Sequence, residues 1–255
     1  MRPFRYLTIA FIIAALLLDA AYFNSLVHWG WLLVLLFVYI HLLVLGAIFI
    51  GWNFYLFSFN KGKSKQQVAL TFDDGPAAET AAILDILKKE GVPAAFFSIG
   101  KNAAAHPELV KRWDAEGHLV GNHSYNHGFN FDWQSAKTMH REIEDTNMLI
   151  QRTIGKKPRL FRPPYGVTNP NLARAVKMAG MDSIGWNVRS FDTKAKNPRQ
   201  LLNKVLSGLQ GGDIVLLHDS MGITREILTE LIAQARKKGF TFVRVDQLLD
   251  IRAYA

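Results

Sequence analysis

The segment QVALTFDDGP, residues 67–76, is the stretch of this 255-residue chain that decides its fold. The apolar run before Asp73 is typical of a buried β-strand, and the Gly-Pro pair that follows Asp74 forces a turn. Side chains alternate along a strand, so the two aspartates reach one site only if the backbone turns between them. Two neighbouring carboxylates repel each other unless a metal ion or an arginine compensates. The segment therefore predicts a site in which one aspartate holds a cation and the other handles a proton.

Beyond this segment, short apolar strand candidates alternate with helical stretches. The strand candidates are 68–72, 94–99, 119–122, 160–162, 183–188, 214–218 and 241–245. The helical candidates are 79–90, 107–116, 133–154, 170–178, 199–208, 223–238 and 245–251. Strands without clean polar alternation are typical of a parallel sheet covered by helices. The pattern predicts an α/β fold, a distorted (β/α) barrel of about seven repeats.

The first sixty residues differ sharply from the rest, because their only charged side chains are Arg2, Arg5 and Asp19. They contain two apolar runs, 6–23 and 29–57, and a membrane span needs about 20 apolar residues. The link between the runs is short enough for a helical hairpin. We therefore predict a membrane anchor of two transmembrane helices in residues 1–60 and a catalytic domain in residues 61–255.

Other interpretations of this region stay open at this stage. The N-terminal arginines could begin a cleaved signal peptide, although Leu18 and Asp19 occupy positions that should be small and neutral. A buried pair of soluble helices is a further alternative. Lysines 61, 63 and 65 follow the second run, so the positive-inside rule places both the N-terminus and the domain in the cytoplasm. The predicted location is the cytoplasmic membrane, with the side of the domain undecided.

Composition narrows the classes of partner. The formal net charge of +9 favours anionic partners such as phospholipid headgroups or acidic glycans. No Lys/Arg-rich run with interleaved aromatic residues occurs, so nucleic acid is not an expected partner. The chain has no cysteine, which excludes disulfides, cysteine-ligated zinc and thiol nucleophiles. The sequence does not indicate an oligomeric state.

Unusual polar residues follow the predicted strands, where barrel enzymes carry their reactive groups. These are Asp73, Asp74, His123, His127, Arg162, Asp192 and His218, with Trp186 nearby. The four-residue interval between the first two histidines puts both imidazoles on one side of a helical turn, which suits one metal ion. Each residue alone has an ordinary structural explanation. Their shared position at strand ends favours a single site.

Four motifs now stand in order along the chain: TFDDG at 71–75, HSYNH at 123–127, RPPY at 162–165 and LLH at 216–218. In this order they resemble the NodB-type polysaccharide deacetylases, carbohydrate esterase family 4. The resemblance covers roughly residues 66–250 and leaves the apolar N-terminus unexplained. The family fold is a distorted (β/α) barrel, in agreement with the strand pattern.

The resemblance implies a metal site and a general base. Asp74, His123 and His127 would bind one divalent metal ion, with zinc favoured and cobalt, nickel or manganese as alternatives. Asp73 would accept a proton from the attacking water, and the charge of Arg162 would lower the pKa of Asp73 and keep it ionised.

The resemblance also implies the remaining roles. His218 would protonate the departing amine as general acid, tuned by Asp192. The backbone N–H of Tyr165 would stabilise the tetrahedral oxyanion. Leu216 would line the pocket for the acetyl methyl group, and Trp186 would belong to the same substrate pocket.

The chain departs from the family pattern at two positions. Thr193 follows Asp192 where a tryptophan is usual, and Arg189 stands where an acid is usual. We expect altered substrate choice and retained catalysis, because every implied metal ligand and proton carrier is present. Arg189 would meet an anionic group on the substrate.

The predicted function is a metal-dependent hydrolase that removes an N-acetyl or other N-acyl group from an amino sugar. It would cleave a non-peptide carbon–nitrogen bond in a polysaccharide, a peptidoglycan-like glycan or a lipid-linked glycan. A cytoplasmic domain would favour a lipid-linked precursor, and an external one would favour peptidoglycan or another surface glycan. The alternatives are an O-acetyl esterase on acetylated polysaccharide and a catalytically silent, membrane-tethered glycan-binding protein.

Overall fold

The computed structural model describes residues 3–255, so Met1 and Arg2 of the predicted anchor lie outside the described residues. The chain begins with two apolar helices, α1 (Pro3–Phe23) and α2 (Gly30–Ile48). They pack together as a hairpin, in which the Tyr39 ring stacks on Phe11 at a centroid distance of 4.1 Å. The hairpin therefore brings the start of α1 and the end of α2 to the same end.

Both helices are long and apolar enough to cross a membrane, judged by length and composition. Gly46 is the one buried residue in the two helices. This exposure contradicts the alternative of a buried soluble helix pair. The predicted second run, 29–57, extends past the helix, because α2 ends at Ile48 and the side chains of Tyr55 and Leu56 are buried.

The rest of the chain alternates short strands and helices. The strands are β1 (Ser58–Phe59), β2 (Gln67–Asp73), β3 (Ala95–Ser98), β4 (Leu119–Asn122), β5 (Leu160–Phe161), β6 (Asp182–Ile184), β7 (Val188–Arg189), β8 (Ile214–His218) and β9 (Thr241–Phe242). The helices are α3 (Thr80–Glu90), α4 (Gly100–Ala105), α5 (Pro107–Ala115), α6 (Ala136–Ile154), α7 (Pro170–Met178), α8 (Pro198–Ser207), α9 (Gly222–Lys237) and α10 (Val245–Leu249).

The strands form one curled parallel sheet in the order β1-β6-β5-β4-β3-β2-β8-β7, with β9 beside the start of β2. The predicted distorted (β/α) barrel is confirmed. It is open, because β6 and β7 follow each other in sequence but lie towards opposite ends of the sheet. The prediction of a single strand over residues 183–188 is therefore wrong, because two separate strands, β6 and β7, occupy this segment.

Two short elements were absent from the sequence prediction. The strand β1 pairs with Ser183 and Ile184 of β6, so the sheet begins before the predicted domain boundary at residue 61. The helix α4 follows β3 directly. A two-residue strand carries no periodicity, so pattern reasoning cannot detect it.

The strand β2 separates the two layers of the core. Val68, Leu70 and Phe72 pack against the surrounding helices, whereas Ala69 packs inside the barrel with the interior residues of neighbouring strands. Because side chains alternate, Asp73 lies on the interior side at the carboxyl edge of the sheet.

Candidate active site

The carboxyl edge of the sheet brings the predicted site residues together. The register of the parallel pairs places Asp73 beside His218 on β8 and beside Phe97 on β3. A cleft of about 240 Å³ opens at this edge. Its lining residues are Asp73, Asp74, His123, His127, Tyr165, Gly166, Trp186, Arg189, Phe191, Thr193, Leu216 and His218. The other two predicted site residues, Arg162 and Asp192, are buried behind this lining.

The two consecutive aspartates reach the same cleft because the backbone turns at the end of β2. Asp74 has a φ of 74°, in the left-handed region, so the strand ends there. The Asn102 side chain donates a hydrogen bond of 2.7 Å to the Asp74 carbonyl and fixes this turn. The sequence predicts that the backbone must turn here if both carboxylates are to reach one site, and the turn is present.

Three side chains converge on a possible metal site. The Nε2 atoms of His123 and His127 lie 3.5 and 3.6 Å from Oδ1 of Asp74, and the three ligand atoms lie within 4.8 Å of one another. Nδ1 of His123 lies 2.8 Å from the carbonyl of Arg162, which fixes the ring and leaves Nε2 directed at the site. Two imidazoles and one carboxylate are a suitable donor set for zinc or a similar divalent ion with open positions.

The local geometry of the two histidines differs from the expected helical turn. Ser124 and His127 have φ values of 65° and 49°, so an irregular loop carries the histidines. Burial lowers the pKa of His123 to about 3, which keeps that imidazole neutral and able to donate a lone pair. The two histidines do converge on one point, but the helical turn expected between them is absent.

Arg162 forms a buried network beneath the cleft. Its Nη1 donates hydrogen bonds of 2.7 Å to Oδ1 of Asp73 and 2.8 Å to the Thr71 hydroxyl. Its remaining nitrogens donate to the carbonyls of Ile184 and Gly185. Each guanidinium nitrogen is thereby hydrogen-bonded and Asp73 balances the charge, which is the condition under which a buried charge is tolerated.

The pKa of Asp73 departs from the expectation based on Arg162 alone. Burial raises the pKa of Asp73 above its ordinary value, and the charges of Arg162 and His218 offset only part of that rise. The sequence emphasised the arginine and could not show how completely the carboxyl group is buried. A raised pKa makes Asp73 a stronger proton acceptor than an exposed aspartate.

His218 is held by a second buried carboxylate. Its Nδ1 lies 2.7 Å from Oδ1 of Asp192, whose Oδ2 accepts hydrogen bonds from the His218 backbone N–H and the Thr224 hydroxyl. Burial alone would lower the pKa of His218, but the hydrogen bond and charge of Asp192 outweigh it and raise the pKa to about 9. His218 is therefore protonated at neutral pH.

The predicted substrate-pocket residues surround these polar groups. Tyr165 has a φ of 57°, and its hydroxyl donates a hydrogen bond of 3.2 Å to the carbonyl of His127. The Trp186 indole packs so closely on Gly166 that a Cβ there would overlap it. Leu216 is buried at the cleft wall.

The two positions that depart from the family pattern lie on the cleft rim. Arg189 is exposed, and its guanidinium lies 4.8 Å from the centroid of the Phe191 ring. The Lys204 ammonium approaches the same ring to 3.8 Å. Arg189 and Lys204 make this side of the cleft cationic, in line with the expectation of an anionic substrate group.

Asp219 is a buried residue of the site that sequence reasoning missed. The Thr80 hydroxyl donates a 2.6 Å hydrogen bond to its Oδ2, and its carboxylate packs against Gly75, where a Cβ would overlap it. Burial raises the pKa of Asp219 to about 7. Its only sequence signal is its position next to His218.

Comparison with known proteins identifies similar chains. The family model for polysaccharide deacetylase matches residues 60–184. The chain is 37% identical over 189 residues to the peptidoglycan-N-acetylglucosamine deacetylase PgdA of Listeria monocytogenes, covering 74% of this chain and 40% of that protein. It is 34% identical to a Bacillus cereus peptidoglycan-N-acetylglucosamine deacetylase, covering 76% of this chain and 72% of that protein.

A solved structure shares the fold. The crystal structure of a peptidoglycan N-acetylglucosamine deacetylase superimposes with a TM-score of 0.73 at 32% identity, covering 77% of this chain and 94% of that one. The chain spans about two fifths of the length of the Listeria relative, and nearly the full length of this crystallised chain. The similarity therefore concerns the domain that carries the cleft.

Proposed function

The chain belongs to the polysaccharide deacetylase family, and on this premise we propose that it is a metal-dependent hydrolase that removes N-acetyl groups from amino sugars in a glycan. The observation that carries the proposal is the convergence in one cleft of a His₂Asp ligand set and two proton carriers, Asp73 and His218, each held by an ion pair. We assign this activity to the catalytic domain, residues 61–255 together with β1.

Asp74, His123 and His127 would hold one divalent metal ion, with zinc as the favoured identity. When bound, such an ion polarises the substrate carbonyl and lowers the pKa of a water molecule. The residues around it divide the proton transfers between them. Asp73, kept in place by Arg162, accepts the proton of the attacking water on its Oδ2 side, because its Oδ1 is engaged by the arginine.

His218 would complete the reaction as general acid. Its Nδ1 is bound to Asp192, so Nε2 is the atom that faces the cleft and delivers a proton to the departing amine. An amine is a poor leaving group unless it is protonated, so amide cleavage depends on this step. The backbone N–H of Tyr165 would stabilise the oxyanion, and Leu216 and Trp186 would enclose the acetyl group.

The two curated relatives described above are named for peptidoglycan N-acetylglucosamine, which supports a bacterial glycan of this kind as substrate. We propose an N-acetylated amino sugar within a peptidoglycan-like or lipid-linked glycan. Arg189 would favour substrates that carry an anionic group near the reacting sugar.

We propose that α1 and α2 anchor the domain in the cytoplasmic membrane. Their length, composition and exposed apolar surface support this assignment. The same features would suit a signal sequence, and two observations favour an anchor: Tyr55 donates a hydrogen bond to the Leu43 carbonyl, and Thr168 donates one to Ala47. Contacts of this kind join the hairpin to the folded domain.

Metal analysis of the full chain, purified in detergent, tests the proposal. We expect about one divalent ion per chain and metal-dependent release of acetate from an N-acetylglucosamine oligomer. The substitutions Asp74→Ala and His123→Ala should abolish both, whereas His106→Ala, an exposed histidine outside the cleft, should preserve both. A wild-type chain that binds no metal and releases no acetate, with or without added divalent ions, would refute the enzymatic assignment.

A further inference from the structure

The most exposed large apolar side chains of residues 3–255 lie next to the cleft, outside the hairpin. Phe129 and Trp133 are 92% and 88% exposed. Both lie in the segment of residues 128–134, which follows His127 directly in sequence and which we call the aromatic loop. Removing an apolar side chain of this size from water is favourable. Two of them on one loop mark a surface that binds a partner.

The aromatic loop is an ordered structure. The N–H groups of Phe131 and Trp133 donate to the carbonyls of Gly128 and Asn130 at 2.9 and 3.1 Å. Phe131 is fully buried in the core cluster that also contains Leu56. The loop therefore holds one aromatic residue in the core and exposes the aromatic residues two positions before and after it.

The aromatic loop is connected to the end of α2 through one short segment. The Asn169 side chain donates a 2.8 Å hydrogen bond to the Asp132 carbonyl. The neighbouring residue, Thr168, donates its backbone N–H to the Ala47 carbonyl at 2.9 Å. This segment begins three residues after Tyr165, which borders the cleft. The rim of the cleft, the aromatic loop and the end of the apolar hairpin are thus contiguous.

Basic side chains occupy the same region. A groove of about 530 Å³ lies between the start of α1, the residues after α2 and the helix α7. Arg5, Arg174 and Lys177 line it and are exposed, with Asp182 as its one acidic lining residue. Cationic side chains at the end of a membrane span attract anionic lipid headgroups, and tryptophan is enriched at the same level.

We propose that the aromatic loop rests in the headgroup layer of the membrane that holds the hairpin, so that the cleft opens at the bilayer surface. This inference depends on the proposed membrane anchor and names the surface that the active site faces. It follows that amino sugars attached to lipids in that membrane reach the cleft more readily than free glycans. The partner that the aromatic loop contacts is the lipid bilayer. Two features favour a bilayer over a sugar ring: the loop is continuous with the hairpin, and the groove beside it is cationic.

The absence of native cysteines allows a direct test with the full chain. Phe129→Cys and Trp133→Cys variants would each carry a polarity-sensitive fluorophore and be placed in nanodiscs that contain phosphatidylglycerol. Lys89→Cys is the matched control, because it lies at the end of α3, at the opposite edge of the sheet. We expect blue-shifted emission and quenching by brominated lipids at 129 and 133 only. Emission at these positions as water-like as at 89 would overturn the proposal.

A turnover comparison separates the membrane from a sugar-stacking platform. The Phe129→Ser/Trp133→Ser double variant should lose roughly tenfold in kcat/KM on N-acetylglucosamine carried by a polyprenyl lipid in the same bilayer. The loss on a soluble N-acetylglucosamine oligomer should be much smaller. A larger loss on the soluble oligomer would mean that these residues stack on sugars and would overturn the membrane assignment. If the wild type acts on neither substrate, the proposed activity fails, and lipid quenching still decides the position of the loop.

Discussion

Two ion pairs border the cleft, and they differ in which partner faces it. Asp73 contacts Arg162 at 2.7 Å, and Asp192 contacts His218 at 2.7 Å. In the first pair the carboxylate faces the cleft and the cation lies behind it. In the second pair the cation faces the cleft and the carboxylate lies behind it.

This difference in orientation determines which way a proton moves. Arginine does not release its proton, so the first pair can only accept one through Asp73. Histidine titrates, and Asp192 raises its pKa to about 9, so the second pair enters the reaction already protonated. Asp73 is therefore the base and His218 the acid of the proposed reaction, because these are the partners that face the cleft.

The largest effect should come from removing the base. Asp73→Asn keeps the side-chain shape and a hydrogen-bond acceptor for Arg162, but it removes the proton acceptor. We expect kcat to fall by about 10³- to 10⁴-fold, towards the upper end of general-base contributions. Metal content should stay near the wild-type value, since the site ligands are intact. Asp85→Asn, on the exposed side of α3, is the control that should retain activity.

Removing the acid should have a smaller effect that depends on the leaving group. His218→Ala should lower amide turnover by about 10²-fold, and it should lower turnover of an aryl acetate ester much less. An aryl alkoxide leaves without prior protonation, whereas an amine does not. Parallel assays of acetate release from both substrates would measure this. Equal losses on the two substrates would contradict the assignment of His218 as general acid.

Breaking the second pair should move the pH profile. In Asp192→Asn the charge that raises the pKa of His218 is lost and burial remains, so this pKa should fall from about 9 towards or below its ordinary value of 6.5. A general acid works below its pKa. The alkaline limb of kcat/KM should therefore shift to lower pH, with the acidic limb little changed. An alkaline limb in the wild-type position would show that another group supplies the proton.

The smallest effect should come from the cationic rim of the cleft, formed by Arg189 and Lys204, which belongs to neither ion pair. Arg189 is exposed, and an exposed ion pair contributes up to about 1 kcal/mol, or roughly fivefold in kcat/KM. We expect Arg189→Ala to lose about that much on a phosphorylated amino sugar and almost nothing on the neutral analogue. Unchanged turnover of both substrates would leave the rim without a role in charge recognition.

Much of the site could be predicted from short motifs. The interval between His123 and His127 pointed to a ligand pair, even though an irregular loop replaces the expected helical turn. The turn at Asp74 was required by strand geometry and is present. Asp219 and Thr224 could not be found in this way, because their importance depends on contacts with residues far away in the chain.

The sequence alone determined the alternation of strands and helices, the apolar N-terminus and the residue types that follow each strand. These are local properties, set by hydrophobic periodicity and turn chemistry. The tertiary structure decided the register that places Asp73 beside His218, the burial that raises the pKa of Asp73, and the contact of Thr168 with the end of α2. Such features arise from packing between distant segments, and no local pattern encodes which partner each side chain meets.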